Sequence, residues 1–292
     1  MILGLEVRDG TVMAVTADDN GAIVARTVQN GTAAGAAADA VRAVGGAGCC
    51  TGLGVAVRDA RDPSFAEAIT AAAGVAGVQV APRVVTRGTA VALAEQWSGA
   101  ARGARHVVAL TIADRVLAGI VFEGRPFEGA HGLAGAAGWL ALNPVERDDY
   151  RKLGCLEAEI GGSGIVRRLV WRLKSGDMSR VLEMAGGDMS AITVRQIFDA
   201  ARGGDGVAIA VVRDTARYIG MAIGNLVSVI DPDVVILGGL IAEAADLLLE
   251  PSRTEAVRRM PTPIAGKVQI AAAVLGEEGA ALGAARAAML AT

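Results

Sequence analysis

Residues 2–28 read ILGLEVRDGTVMAVTADDNGAIVARTV, and this stretch decides the fold class. Ile2–Val7 is an apolar run, Arg8-Asp9-Gly10 is turn chemistry, and Thr11–Thr16 alternates. Asp18-Asp19-Asn20-Gly21 then turns the chain again, and Ala22–Val28 returns as a third strand. Outward from this hairpin-rich start, strand and helix patterns alternate. Helices are expected at 33–44, from Asp62-Pro63 to Ala73, and at 89–98, with strands at 52–57, Val75–Val80, 106–112 and 117–123. A glycine-rich loop, Gly129–Gly138, and a polar irregular stretch, 140–154, lead to helical patterns at 158–173, 178–185, 193–202 and 206–229. Asp231-Pro232-Asp233 stops the last of these, and Val234–Leu237 is a short buried strand ending in Gly238-Gly239. Helices at 242–259 and 277–290 bracket one more strand, 268–274. The pattern is α/β.

Composition narrows the function. The 292 residues are 52% hydrophobic and 20% charged, so a large core is available and disorder is excluded. With 28 Lys+Arg against 31 Asp+Glu there is no excess positive charge for a general polyanion binder. Aromatics at 3% leave few stacking platforms for bases or sugar faces. Three cysteines, two of them the adjacent Cys49-Cys50, suit a reducing compartment better than a disulfide scaffold. The opening MILGLEVRDG lacks a basic n-region and an apolar h-region, and no apolar run is long enough to span a bilayer. A cytoplasmic protein that makes no membrane contact is expected.

Several blocks carry a resemblance. Residues 89–138, the GCLE of 154–157, DPDVVILGG at 231–239 followed by EAADLLLEP, and the closing GEEGAALGAARAA together resemble the ROK family of bacterial repressors, open reading frames and glucokinase-like sugar kinases. The resemblance runs in order along nearly the whole chain. It implies a two-lobe actin/hexokinase-like (ribonuclease H-like) fold with a central interlobe cleft, commonly dimeric. The expected lobes are 1–118 and 119–292, hinged near 115–125, with the last helix, 277–290, free to pack back on the N-terminal lobe.

The departures from the family pattern matter most. Family kinases open with Asp-x-Gly-Gly-Thr, whose backbone amides approach nucleotide phosphates; here the stretch is Glu6-Val7-Arg8-Asp9-Gly10. The acid is kept at Glu6, but both glycines have become charged residues. The second phosphate turn, Leu-Thr-x-Gly-Thr-Gly, here reads from Leu110-Thr111 through Ala113-Asp114-Arg115 to Gly119. The Asn-Asp pair that supplies the general base aligns with Thr86-Arg87, and arginine cannot accept a proton at neutral pH. Gly135-Ala136-Ala137-Gly138-Trp139 stands where the family has Gly-Glu-x-Gly-His. Asp148 and Tyr150 replace two zinc cysteines, leaving Cys155 alone, so no zinc site is expected.

The resemblance therefore implies Glu157 and Gly135 as substrate-binding candidates, and Glu6, Gly10, Thr111, Gly238 and Gly239 as nucleotide-side candidates. Arg8, Arg87 and Arg115 are candidates for holding an anion; no catalytic residue and no metal ligand is assigned. Against each stands a plainer reading: Glu157 capping the following helix, Glu6 ending a surface hairpin, Gly238-Gly239 serving only as a turn, and the arginines solvated beside Asp9 and Asp114. Trp139 is read as a plug of the sugar pocket, His131 as loop packing, His106 as a strand start, and Cys49-Cys50 as small buried hydrophobes. The losses together point to a non-catalytic, pseudokinase-like homologue that senses a sugar, sugar phosphate or nucleotide, or acts as a scaffold. The alternative is an ATP-dependent hexose or cyclitol kinase with a rebuilt site, for which ATP and Mg²⁺ would be needed. A homodimer is expected. Direct DNA binding is not, because the chain starts at the hairpin without a helix-turn-helix.

Overall fold

The computed structural model describes residues 1–48, 50–112 and 115–291; Cys49 and the Ala113-Asp114 pair of the second phosphate turn lie outside them. Three strands open the chain, β1 (Ile2–Arg8), β2 (Thr11–Ala17) and β3 (Ile23–Asn30), followed by α1 (Ala33–Ala43), β4 (Leu53–Val57) and α2 (Ala66–Ala76). Then come β5 (Arg83–Thr86), α3 (Arg87–Ser98), β6 (Val107–Ile112), β7 (Val116–Phe122) and β8 (Arg125–Pro126). A helical run follows: α4 (Asp148–Leu153), α5 (Cys155–Ile160), α6 (Gly162–Lys174), α7 (Arg180–Met184), α8 (Val194–Arg202) and α9 (Gly206–Ile230). The chain closes with β9 (Val234–Gly239), α10 (Leu240–Glu243), α11 (Ala245–Val257), β10 (Gln269–Ala272) and α12 (Gly279–Ala291). One sheet has the order β3-β2-β1-β4-β5 and the other β10-β9-β6-β7-β8.

Two compact units form: Met1–Ala109 with Ala118–Gly135 and Ala273–Thr292, and Leu110–Leu117 with Ala136–Ala272. In the first, β1 pairs antiparallel with β2 (Arg8↔Thr11 to Ile2↔Ala17) and parallel with β4 (Glu6↔Ala56). The period-2 alternation divides β1 between two faces. Leu3, Leu5 and Val7 pack with α1 and α2 through Ala36, Ala40, Ala68 and Ala72. On the other face, Ile2 packs with Ala285 and Ala288 of α12, while Met13 and Val15 of β2 meet Ala94 of α3 and Ala281 of α12. Both faces being covered, β1 is buried from Ile2 to Val7. A Cβ on Gly54 of β4 would fall inside the Ala284 carbonyl of α12, so glycine is what lets this helix backbone lie directly on the sheet.

In the second unit β9 and β10 pair in parallel, Val234↔Gln269 to Leu237↔Ala272. The long α9 buries Val211, Thr215, Ile219 and Ile223 along one stripe. It stops at Asp231, which takes a left-handed conformation (φ 50°), and Pro232 cannot continue it.

Some expectations fail locally. Val75–Val80 is not a strand: α2 runs through Ala76 and ends at Gly77 with φ 64°, and the strand is the later β5. The helix expected at 158–173 is two helices, because Gly161 is extended (ψ 157°) between α5 and α6. The irregular 140–154 contains α4, and 242–259 breaks at Ala244. Among the described residues no helix is long and apolar enough to cross a membrane.

Candidate functional site

The even positions of β1 carry the first locus. Glu6 lies on the α3–α12 face of the strand and is wholly buried, so the surface-hairpin reading of this residue is corrected. Arg8, two residues on and therefore on the same face, donates from Nη2 to Glu6 Oε2 at 2.8 Å. Arg87 approaches the other oxygen, with Nε 2.5 Å from Oε1. That approach is off the N–H axis, so the contact is an ion pair more than a directed hydrogen bond.

Arg87 is the first residue of α3, whose N-cap Thr86 accepts the amide of Thr89 at 3.2 Å. A cation at a helix N-terminus opposes the helix dipole. Glu6 offsets that penalty, and Arg87 in turn offsets the cost of burying a carboxylate. Gly10 forms the β1–β2 turn with φ 74° and Asp9 is exposed.

The second locus is Glu157 on α5. It is buried and does not cap a helix, contrary to the plainer reading: Oε2 accepts the Val116 amide at 3.1 Å, and Oε1 lies 2.7 Å from Arg115 Nε. Gly138 packs directly against this carboxylate, where a Cβ would stand 2.9 Å from Oε2. Thr111 is buried and its hydroxyl donates to Leu117 O at 3.2 Å. Gly239 (φ 65°) turns β9 into α10, and a Cβ there would run into the Ile112 carbonyl; Gly238 is buried within β9. Gly135 (φ 85°) meets Ala118 as closely, its carbonyl accepting the Ala118 amide at 2.7 Å. These turns are glycine for backbone reasons.

Three other readings are corrected or refined. Trp139 is 53% exposed and plugs nothing within its own unit. His131 is exposed, so it does not pack its loop. His106 precedes β6, accepts the Glu123 amide through Nδ1 and packs tilted against Phe122, with ring centroids 4.6 Å apart.

The residues at the family's zinc positions do not fit that metal. Tyr150, in place of a cysteine, donates its hydroxyl to Glu159 Oε1 at 2.5 Å. Burial, followed by that bond, pushes its phenol pKa far up, so it stays protonated. Glu159 also takes Arg168 Nη2 at 2.8 Å and Arg147 Nη1 at 3.2 Å, while Arg147 and Arg167 both reach Asp149. This ionic cluster ties α4, α5 and α6 together, and Arg168 extends it to Thr215 of α9. Among the described residues no His/Cys/Asp/Glu group could hold a metal ion. Mg²⁺ fits no better at Glu6, since both oxygens face arginine. Sequence reasoning missed Glu159, and also Glu95, which is buried and accepts the amides of Ala100, Val274 and Leu275. Their one signal was acid inside apolar helical sequence.

The ROK family model matches residues 77–290. A glucokinase of Halalkalibacterium halodurans is 30% identical over 66% of this chain and 58% of its own length. A glucokinase of Thermotoga maritima is 32% identical over 67% of this chain and 62% of its own. The chain thus spans less than two thirds of the length of these curated relatives. The crystal structure of a ROK hexokinase from Thermus thermophilus superposes with a TM-score of 0.78 and 25% identity, covering 99% of this chain and 98% of that one. The architecture is the two-lobe actin/hexokinase-like α/β fold.

Proposed function

The chain belongs to the ROK family, and on that premise we propose that it is a non-catalytic member of the sugar-kinase line, binding a sugar or sugar phosphate without transferring phosphate. The observation that carries this reading is the state of Glu6. Its two oxygens are taken by Arg8 and Arg87, and Arg87 stands where the resemblance puts the base. Phosphoryl transfer depends on positioned cations and a base for the acceptor hydroxyl. A carboxylate neutralised by two guanidinium groups supplies neither. In this reading it works in the cytoplasm as a homodimer.

A second reading, an ATP-dependent sugar kinase with a rebuilt site, is favoured by the relatives, which are named glucokinases at 30% and 32% identity. The names support catalysis and the geometry of Glu6 opposes it, so one experiment should weigh both. Thermal shifts would be recorded with glucose, glucose 6-phosphate and ATP–Mg²⁺, singly and together, alongside a coupled assay of ADP release. Stabilisation follows RT ln(1 + [L]/Kd), about 2.7 kcal/mol at 100-fold excess over Kd. A shift with sugar or sugar phosphate and no ADP release supports the first reading. Sugar-dependent ADP release that disappears in E157Q overturns it in favour of the second.

A further inference from the structure

Within the first unit, the end of α3, the turn after it and α12 enclose an open pocket of about 370 Å³, to which Gln96, Trp97, Arg102, Ala104 and Arg286 contribute. Its walls differ in kind from the Glu6 and Glu157 loci. There each arginine meets a carboxylate of the chain; here, among the described residues, neither Arg102 nor Arg286 makes an ion pair. Arg286 is the single charged residue of α12. Its guanidinium lies 5.2 Å over the Trp97 ring, and Nη1 donates to Met289 Sδ at 3.2 Å. Its Nε is shut off from solvent with no acceptor. Burial pulls its pKa down from the ordinary value, yet arginine remains charged at neutral pH.

Half-sunk in an alanine-rich helix, Arg286 carries a desolvation cost that the Trp97 ring and the Met289 sulfur offset only in part, since neither is an anion. Arg102 puts a second positive charge on the same pocket. An anion of charge two answers both. Guanidinium groups match the geometry of phosphate oxygens. Gln96 gives its amide nitrogen to Ala104 O at 2.8 Å, which leaves its side-chain oxygen as an acceptor for a ligand hydroxyl. Trp97 offers an apolar ring beside the charges. The volume falls in the range of small-molecule sites and exceeds that of a bare phosphate.

From these observations we infer that the pocket between α3 and α12 binds a small phosphomonoester, its phosphate held by Arg102 and Arg286. The site does not depend on what Glu6 and Glu157 do, because its residues are separate from theirs.

The test uses the full chain, titrated at constant ionic strength with inorganic phosphate and with glycerol 3-phosphate, against chloride. Readouts are tryptophan fluorescence, with W97F to identify the reporting ring, and the thermal midpoint. Saturable quenching and a raised midpoint are expected, tighter for glycerol 3-phosphate. Affinity should fall about tenfold or more in R286Q and in R102Q, the scale of one charge-assisted contact. Arg102 is exposed on a turn, so R102Q keeps the test valid if R286Q folds poorly. Equal affinity for the two probes supports the site with free phosphate as its ligand. No saturable response in the native chain, or unchanged affinity in R102Q, overturns the inference. Neither probe carries a sugar ring, so a failure here leaves the sugar-binding reading standing on its own assay.

Discussion

Replacing Arg87 by glutamine removes one of two cations from a carboxylate with no solvent exposure, and the cost can be worked from the surroundings. Breaking a buried ion pair by deleting one partner costs about 3–5 kcal/mol, because the remaining charge stays desolvated. Two features reduce that figure. Arg8 still donates to Glu6 Oε2 at 2.8 Å, although its side chain is 42% exposed and the contact is screened. Removing a cation from the N-terminus of α3 also relieves about 0.3–1 kcal/mol of unfavourable dipole interaction. The net expectation for R87Q is a loss of about 2–3 kcal/mol. In E6Q/R87Q the buried charge is gone as well, and the double variant should recover most of that loss, since two neutral amides of similar shape can bond to each other. Urea unfolding followed by Trp97 fluorescence, in a W139F/W171F background, reports on the first unit and gives both values from one double-mutant cycle. A cost below about 1 kcal/mol for R87Q, or equal costs for R87Q and E6Q/R87Q, would refute the claim that Arg87 exists to neutralise Glu6. It would also remove the observation on which the non-catalytic reading stands.

Other expectations follow from the same accounting of buried charge and close contact. E159A strands Arg168, which is 14% exposed, and should destabilise the second unit by about 3–5 kcal/mol in calorimetry; a chelator should leave that unit's transition unmoved, because Asp148 and Tyr150 stand where the resemblance puts two zinc cysteines. Asp205 caps α9 through the Ala208 amide and α7 through the Arg180 amide. Burial raises its pKa, but these bonds outweigh that and hold it below the ordinary aspartate value. A depressed folded pKa contributes stability that is present above the unfolded value and lost as pH falls through the folded one. The native chain should therefore lose stability below about pH 4 with a component that D205N lacks. G54A would force a methyl group into the Ala284 carbonyl and should cost about 3 kcal/mol in urea.

What could be read beforehand and what could not divide along a physical line. The β1–β2–β3 meander was legible because its turns, Arg8-Asp9-Gly10 and Asp18–Gly21, are local chemistry, and Gly10 and Gly21 do take positive φ. The strand expected at Val75–Val80 failed for a related reason. The buried stripe of α2 is Ala68, Ala72 and Ala76, and alanine contrasts so weakly with its neighbours that the valines beyond Gly77 dominated the pattern. The family motifs marked Glu6 and Glu157 as positions of interest, and both are buried. The same motifs marked Arg8, Arg87 and Arg115 as anion holders or solvated side chains, but not as partners of Glu6 and Glu157, because those pairs form only when distant segments pack. Glu159 carried no motif and Glu95 stood in the 89–138 block with no role attached, although each organises several partners. Local propensity writes the elements; the pairing of buried charge is a property of the assembled chain and has no period.

That distinction bears on what substitutions at these loci can do. Glu6 is paired with Arg8 and Arg87, and Glu157 with Arg115. In each case a buried carboxylate is answered by a guanidinium within its own unit. Once the pair is buried, restoring either position alone is penalised. An aspartate at 87 would face Glu6 with like charge in a buried site, where two carboxylates cannot both ionise cheaply. R87D should therefore be less stable than R87Q, and on the proposed non-catalytic reading it should show no phosphotransfer unless Arg8 is also replaced. Measuring the stability and ADP release of R87D, R87Q and R8G/R87D side by side checks this. If R87D alone gained activity while losing no stability, the Glu6 pair would be incidental to the present function.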